Sequence, residues 1–141
     1  MMDEAFWLRM HGGTTHFPIA LVLTSMLLDL LGYFWPSEPR RRELHTAGFY
    51  LLMVGTLASF GAVLSGLIIS KWVILGTGLK ARHHLFVWPS FGLMIALAIW
   101  RLLVGYEGSR QGFALYLMTM ILTSVLIATA GYWGGEMVLG G

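Results

Sequence analysis

The sequence has no cysteine. That excludes disulfides, thiolate-held zinc, iron–sulfur clusters and c-type haem attachment through C-x-x-C-H, so a metal has to be held by His, Met or carboxylate. Charge is nearly as scarce: Asp, Glu, Lys and Arg make up 11% of the 141 residues, where a soluble domain carries about a quarter. The basic residues give a net charge of +2 without forming a stripe interleaved with exposed aromatics, which leaves nucleic-acid binding unsupported. A Gly-rich phosphate loop, a Ser/His/Asp order and an E-x-x-H di-iron pattern are missing too, and with them the commonest routes to phosphate, acyl and di-iron chemistry.

What fills the chain instead is apolar: 57% of residues are hydrophobic. Four membrane spans of about 20 residues would use roughly 80 positions and leave short connections. The expected fold is therefore all-α, a single integral membrane domain over residues 1–141, built as an up-down-up-down four-helix bundle. The first sixteen residues, with Asp3, Glu4 and Arg9, lack the apolar core and small-residue cleavage site of a secretory signal, so the first span is expected to remain in the mature protein.

The spans are read at about 17–35, 44–69, 83–104 and 113–133. Thr14 or Thr15 serves as a cap and Pro18 sits in the first turn of span one, which Trp35-Pro36 closes. Pro89 is expected to kink span three. In span two, Gly48, Gly55, Ser59, Ala62 and Gly66 recur on one face, a groove fit for a neighbouring helix or for a flat ligand. Tyr33, Phe34, Trp35, Trp100 and Tyr106 gather at one predicted boundary, and Trp7, Trp72, Trp88, Tyr132 and Trp133 at the other, as aromatic belts do. An even number of crossings puts both termini on the same face as the middle loop. The opposite face holds the Arg40-Arg41-Arg42 triplet in a short turn, which favours termini outside a bacterial inner membrane.

Four of the five histidines, His11, His16, His83 and His84, fall toward the terminal face; His45 opens span two at the other. His16 and one of His83 and His84 lie in the first turns of spans one and three, which run parallel, so the two helix starts reach equal depth. A helix N-terminus disfavours the imidazolium and keeps the ring a lone-pair donor. Two neutral imidazoles facing across an apolar bundle are the axial pair that haem b requires. Lys80, Arg82 and Arg9 lie at the same face to meet its propionates. Successive helical residues point about 100° apart, so only one of His83 and His84 faces inward; His84 sits deeper. His11 precedes Gly12-Gly13, read as a flexible joint, and pairs with His83 at a second centre or stays in the interface. A lone interfacial histidine can equally hydrogen-bond to water or a headgroup.

Glu136 follows Gly134-Gly135 at the same face. It is a candidate to orient an imidazole, to take protons at a quinone site, or simply to end a helix in solvent. Asp29 is the one acid well inside a span. An intramembrane carboxylate is a proton-handling candidate, and Arg101 and His45, at similar depth, offer it a structural pair.

The opening His11-x4-His16-Phe17-Pro18-Ile19-Ala20-Leu21, Asp29 late in the same span, a basic residue before a histidine at the start of span three, and the closing Gly134-Gly135-Glu136 resemble a bacterial family of small four-helix membrane proteins catalogued as a domain of unknown function. The resemblance covers nearly the whole chain and implies that His11, His16, one of His83 and His84, and Glu136 occupy the family's polar signature positions. Gly12 stands where members usually carry Pro, and Met137-Val138-Leu139 where they continue with a Tyr-Arg-His-Gly-like tail.

The reading that joins these features is a membrane electron-transfer subunit. It holds one haem b or two and passes electrons between quinol and a membrane or periplasmic redox partner; it is a redox subunit rather than a complete enzyme. Two other classes compete: a non-haem metal-binding or transport protein using the same histidines and Glu136, and a structural anchor for a larger complex.

Overall fold

The computed structural model describes residues 4–139, so Asp3 and the final Gly140-Gly141 lie outside the described residues. Four α-helices account for nearly all of that stretch: α1 (Glu4–Phe34), α2 (Glu38–Ile69), α3 (Gly78–Val104) and α4 (Arg110–Leu139). All four are long and apolar enough to cross a membrane. With 27 to 32 residues each, they run roughly 40–48 Å at 1.5 Å per residue, against about 30 Å of hydrocarbon. Their ends therefore reach through the headgroup layers.

α1 begins thirteen residues ahead of the start read from sequence. Gly12 and Gly13 are ordinary helical positions instead of a joint, and Pro18 lies inside the helix instead of opening it. Thr14 and Thr15 are not caps; their hydroxyls donate back to Met10 O, His11 O and Gly12 O. The extension is held by packing on α2, where His11 meets Ala62 O, Ser65 Oγ and the space left by Gly66, and tertiary packing of this kind outweighs local helix breakers. α3 likewise starts five residues early, and α4 runs on through Gly134-Gly135 to Leu139.

The connections are short. Residues 35–37 join α1 to α2, with Pro39 in the first turn of α2. Gly105 closes α3 at φ 68°. The longest, residues 70–77, bends sharply: Lys71 and Trp72 sit at φ 54° and 64°, with Gly76 at 71°.

α1 packs chiefly along α2, and α3 along α4; the two hairpins meet through thinner α1–α4 and α2–α3 seams. The small-residue face of α2 receives α1. A Cβ at Gly55 would lie 3.2 Å from Leu21 Cβ and Val22 Cγ2, one at Gly48 3.0 Å from Asp29 Oδ1, and one at Gly66 3.0 Å from His11 Cε1. That groove is filled by a helix, the close approach that small residues permit. Leu52, Leu97, Phe113, Tyr116, Leu117 and Met120 form the larger core cluster, with Val22, Met94 and Ile127 beside it. Leu57, Leu102, Leu103, Met118 and Val125 stand exposed on the outside, as a lipid-facing surface requires.

Candidate functional site

Two polar clusters interrupt this apolar bundle, one at each end. At the terminal end, which carries both chain ends and the 70–77 connection, three imidazoles converge. His11, in the second turn of α1, places Nδ1 3.1 Å from Ala62 O and 3.0 Å from Ser65 Oγ on α2. His83, early in α3, places Nδ1 2.8 Å from Ala130 O on α4. His84 places Nδ1 3.0 Å from Leu75 O, a carbonyl that the bent 70–77 connection folds back over the start of α3 and that Trp88 Nε1 fixes through the neighbouring Ile74 O at 2.7 Å. A carbonyl only accepts, so each Nδ1 carries the hydrogen, and in the neutral ring the lone pair falls on Nε2. An Nδ1–H bound to a backbone carbonyl is also how metal-ligating histidines are usually held.

The His11 and His83 ring centres lie 6.5 Å apart with their planes at 83°, and His83 and His84 are 5.6 Å apart. α1 and α3 stand diagonally across the bundle, so His11 and His83 meet between the hairpins. Their hydrogen bonds all stay within the parent hairpin.

His16 does not join them: it is exposed on the outer side of α1. Continuous helix from 11 to 16 turns these two side chains about 140° apart, so with His11 inside, His16 faces out. The inward neighbour on α3 is also reversed, since His83 approaches α1 while buried His84 turns to the connection and Trp88. Arg9, Lys80 and Arg82 are exposed at this end, Arg82 over the Trp133 ring at 4.9 Å. Glu136 is half-buried and meets none of the imidazoles in a hydrogen bond or ion pair among the described residues. No group of three or more His, Asp or Glu among the described residues could hold an ion by itself.

At the other end, the loop end, each helix contributes one residue. Asp29 Oδ1 accepts from His45 Nδ1 at 2.8 Å and lies 3.4 Å from Arg101 Nη2; Asp29 Oδ2 accepts from the Tyr116 hydroxyl at 2.9 Å. Arg101 Nη2 also donates to His45 O at 2.7 Å, and the guanidinium rests over the Phe113 and Tyr116 rings. All four residues are at most 4% exposed. Glycines make the room: a Cβ at Gly32 would fall 2.7 Å from His45 Cε1.

The pairing of Asp29 with both Arg101 and His45 follows the structural alternative read from sequence, whereas Tyr116 was missed. Nothing in an apolar run marks which face its one inward tyrosine takes. Tyr106, in the connection after α3, stacks on His45 at 4.8 Å. Burial and then the Glu107 carboxylate push its phenol pKa up, against the pull of Arg42.

The sequence model of a family described as a predicted membrane protein, DUF2231, matches residues 9–140, and the chain belongs to that family. No curated protein and no solved structure matches the chain.

Proposed function

Proceeding from membership of that membrane family, we propose that the protein is an electron-transfer subunit in which His11 and His83 hold one haem b at the terminal end. The observation that carries this reading is the pair itself: two imidazoles from opposite hairpins, 6.5 Å apart and nearly perpendicular, each with Nδ1 committed to the protein. The two rings would hold the iron through their Nε2 lone pairs, and the haem would supply one-electron exchange. A non-haem ion fits less well, because an all-protein site needs three or four ligands and the described residues offer no such group. A porphyrin supplies four nitrogens of its own and asks the protein for two. Arg9, Lys80 and Arg82 stand exposed at the same end for the propionates.

In this reading the subunit exchanges single electrons with quinol and with a redox partner in or beside a bacterial inner membrane, and is no complete enzyme. With Arg101 withdrawn into the bundle, Arg9, Lys71, Lys80 and Arg82 face Arg40, Arg41, Arg42 and Arg110 across the membrane. The proposed orientation, termini outside, then rests on the compact triplet alone.

The test is the visible spectrum of the detergent-solubilised protein, as purified and after titration with hemin. A Soret band with a reduced α band, lost in His11→Ala and in His83→Ala but kept in His16→Ala, is expected. Helical circular dichroism retained in each variant excludes misfolding as the cause. Absence of both bands after titration overturns the reading; zinc, copper or iron found without porphyrin transfers the site to a non-haem ion.

A further inference from the structure

The loop end holds something the internal network does not use. Thr46 of α2 lines two open hollows: a groove of about 810 Å³ on the outer face of α2, shared with Arg42, Ala47 and Tyr50, and a smaller one of about 220 Å³ toward α3, shared with Phe49, Arg101 and Tyr106. The acids on the groove's rim are engaged, Glu38 by Arg41 at 2.6 Å and Glu43 by Arg40 at 3.0 Å. Arg42 has no hydrogen bond or ion pair among the described residues, and the hydroxyls of Thr46 and Tyr50 have no hydrogen bond there either. On the inner side, Arg101 spends Nη2 on Asp29 and His45 O, while its buried Nε and Nη1 meet no acceptor. The aromatic faces of Phe113 and Tyr116 lie under the guanidinium carbon but offer no lone pair. Buried donors without acceptors are uncommon enough to call for one.

The pattern along α2 says what kind of molecule carries that acceptor. Arg42, Thr46 and Tyr50 follow one another at four-residue intervals, and the same stripe continues as exposed Val54 and Leu57. Cation and hydroxyls at the helix end pass directly into lipid-facing apolar surface. That order matches an amphiphile standing in the membrane, with its phosphate at the interface and its chains running down the helix.

We propose that this groove binds an anionic phospholipid, its phosphate held by Arg42, Thr46 and Tyr50 and its headgroup oxygens directed into the smaller hollow toward Arg101. The charge complementarity is local. With the rim acids paired, Arg42 is the guanidinium of the groove without an ion pair among the described residues, and Arg101, although paired with Asp29, keeps two donors without acceptors; a phosphate oxygen makes charge-assisted bonds to such donors. The site is independent of the haem reading and lies at the opposite end of the bundle.

The experiment is native mass spectrometry of the detergent-purified protein mixed with equal amounts of phosphatidylglycerol and phosphatidylcholine. Phosphatidylglycerol adducts are expected to outnumber phosphatidylcholine adducts several-fold and to fall roughly ten-fold in Arg42→Gln, the loss corresponding to one charge-assisted contact. Arg110→Gln, which removes the same charge at the same face beside Tyr33, should leave them within about two-fold. Thr46→Val with Tyr50→Phe tests the hydroxyls without altering charge and should also lower retention. Equal retention of both lipids, or equal loss in Arg42→Gln and Arg110→Gln, overturns the proposal. So does displacement of phosphatidylglycerol by millimolar inorganic phosphate, which would make the site one for a free anion.

Discussion

At the loop end, Asp29, His45, Arg101 and Tyr116 bring one side chain from each helix around a single carboxylate. At the terminal end, His11, His83 and His84 come from only two helices, and their hydrogen bonds go to backbone carbonyls, and for His11 also to the Ser65 hydroxyl, of their own hairpin or of the adjoining connection. Both ends bridge the α1–α3 diagonal, but by different means. The first does so through an ion pair that opposes charge with charge. The second brings ring toward ring with no hydrogen bond between them, and leaves the Nε2 lone pairs unspent. A buried charge network that draws one side chain from each helix holds helices in register; oriented imidazoles with unspent lone pairs are what a metal needs.

The sharpest way to break this contrast is to remove one charge at the loop end. Asp29→Ala leaves the Arg101 guanidinium buried without its counter-ion, and Arg101→Met does the converse to Asp29. Each should cost about 3–5 kcal/mol of stability, while the double variant should recover a good part of that loss, since two matched apolar groups leave no orphaned charge. Thermal unfolding in one detergent, followed by circular dichroism, reads the effect. By contrast His11→Ala or His83→Ala, which deletes a neutral hydrogen bond at a half-buried position, should cost only about 1 kcal/mol. Equal losses at the two ends would abolish the distinction.

Tyr116→Phe is a finer cut. It removes one of the donors to Asp29 and fills the same volume, so about 1.5–3 kcal/mol, the usual worth of a hydrogen bond to a charged group, should disappear from the same melting curve. A loss near zero would mean that His45 and Arg101 alone satisfy the carboxylate.

The glycines that give each cluster its room allow a paired test. Gly32→Ala drives a methyl to 2.7 Å from Cε1 of His45, a buried ring stacked on Tyr106 and met edge-on by Phe113, and should cost about 1–3 kcal/mol by overpacking. Gly66→Ala brings a methyl to 3.0 Å from His11 Cε1, a ring only half-buried and held at Nδ1 alone. Stability should fall by less than in Gly32→Ala, while hemin affinity, on the proposed reading, should drop several-fold because the ring that moves is the ligand. The same stability loss at both glycines, with hemin binding untouched, would remove any functional difference between the ends.

How much of this was legible in the chain follows from physics that differs by element. Four spans could be read because apolar length alone decides them, and the Asp29 pairing because an acid in a span has few affordable alternatives to the Arg and His at its depth. The direction of a side chain on α1 could not be read. Its apolar residues surround the helix on every side, buried Val22 as well as exposed Phe17, Leu27 and Leu31, so no amphipathic stripe announces the inner face. The glycines added to the difficulty, because Gly12-Gly13 reads as a break by local propensity and is unbroken helix in the bundle, where α1 packs along α2. With the helix extended, His11 enters the bundle and His16 must leave it.

His16 thus supplies the smallest effect and the most discriminating one. Its ring is exposed with no hydrogen bond among the described residues, so His16→Ala should change stability by less than about 0.5 kcal/mol, as surface substitutions usually do. The spectrum in titrated hemin should be unaltered as well, whereas His11→Ala, five residues away on the same helix, should lose it. The two variants remove the same side chain from the same turn-and-a-half of α1 and differ only in the direction it points. If His16→Ala abolished the Soret band and His11→Ala spared it, α1 would have to be rotated by about 140° in the membrane. The contacts of His11 with Ala62, Ser65 and Gly66 could not then exist.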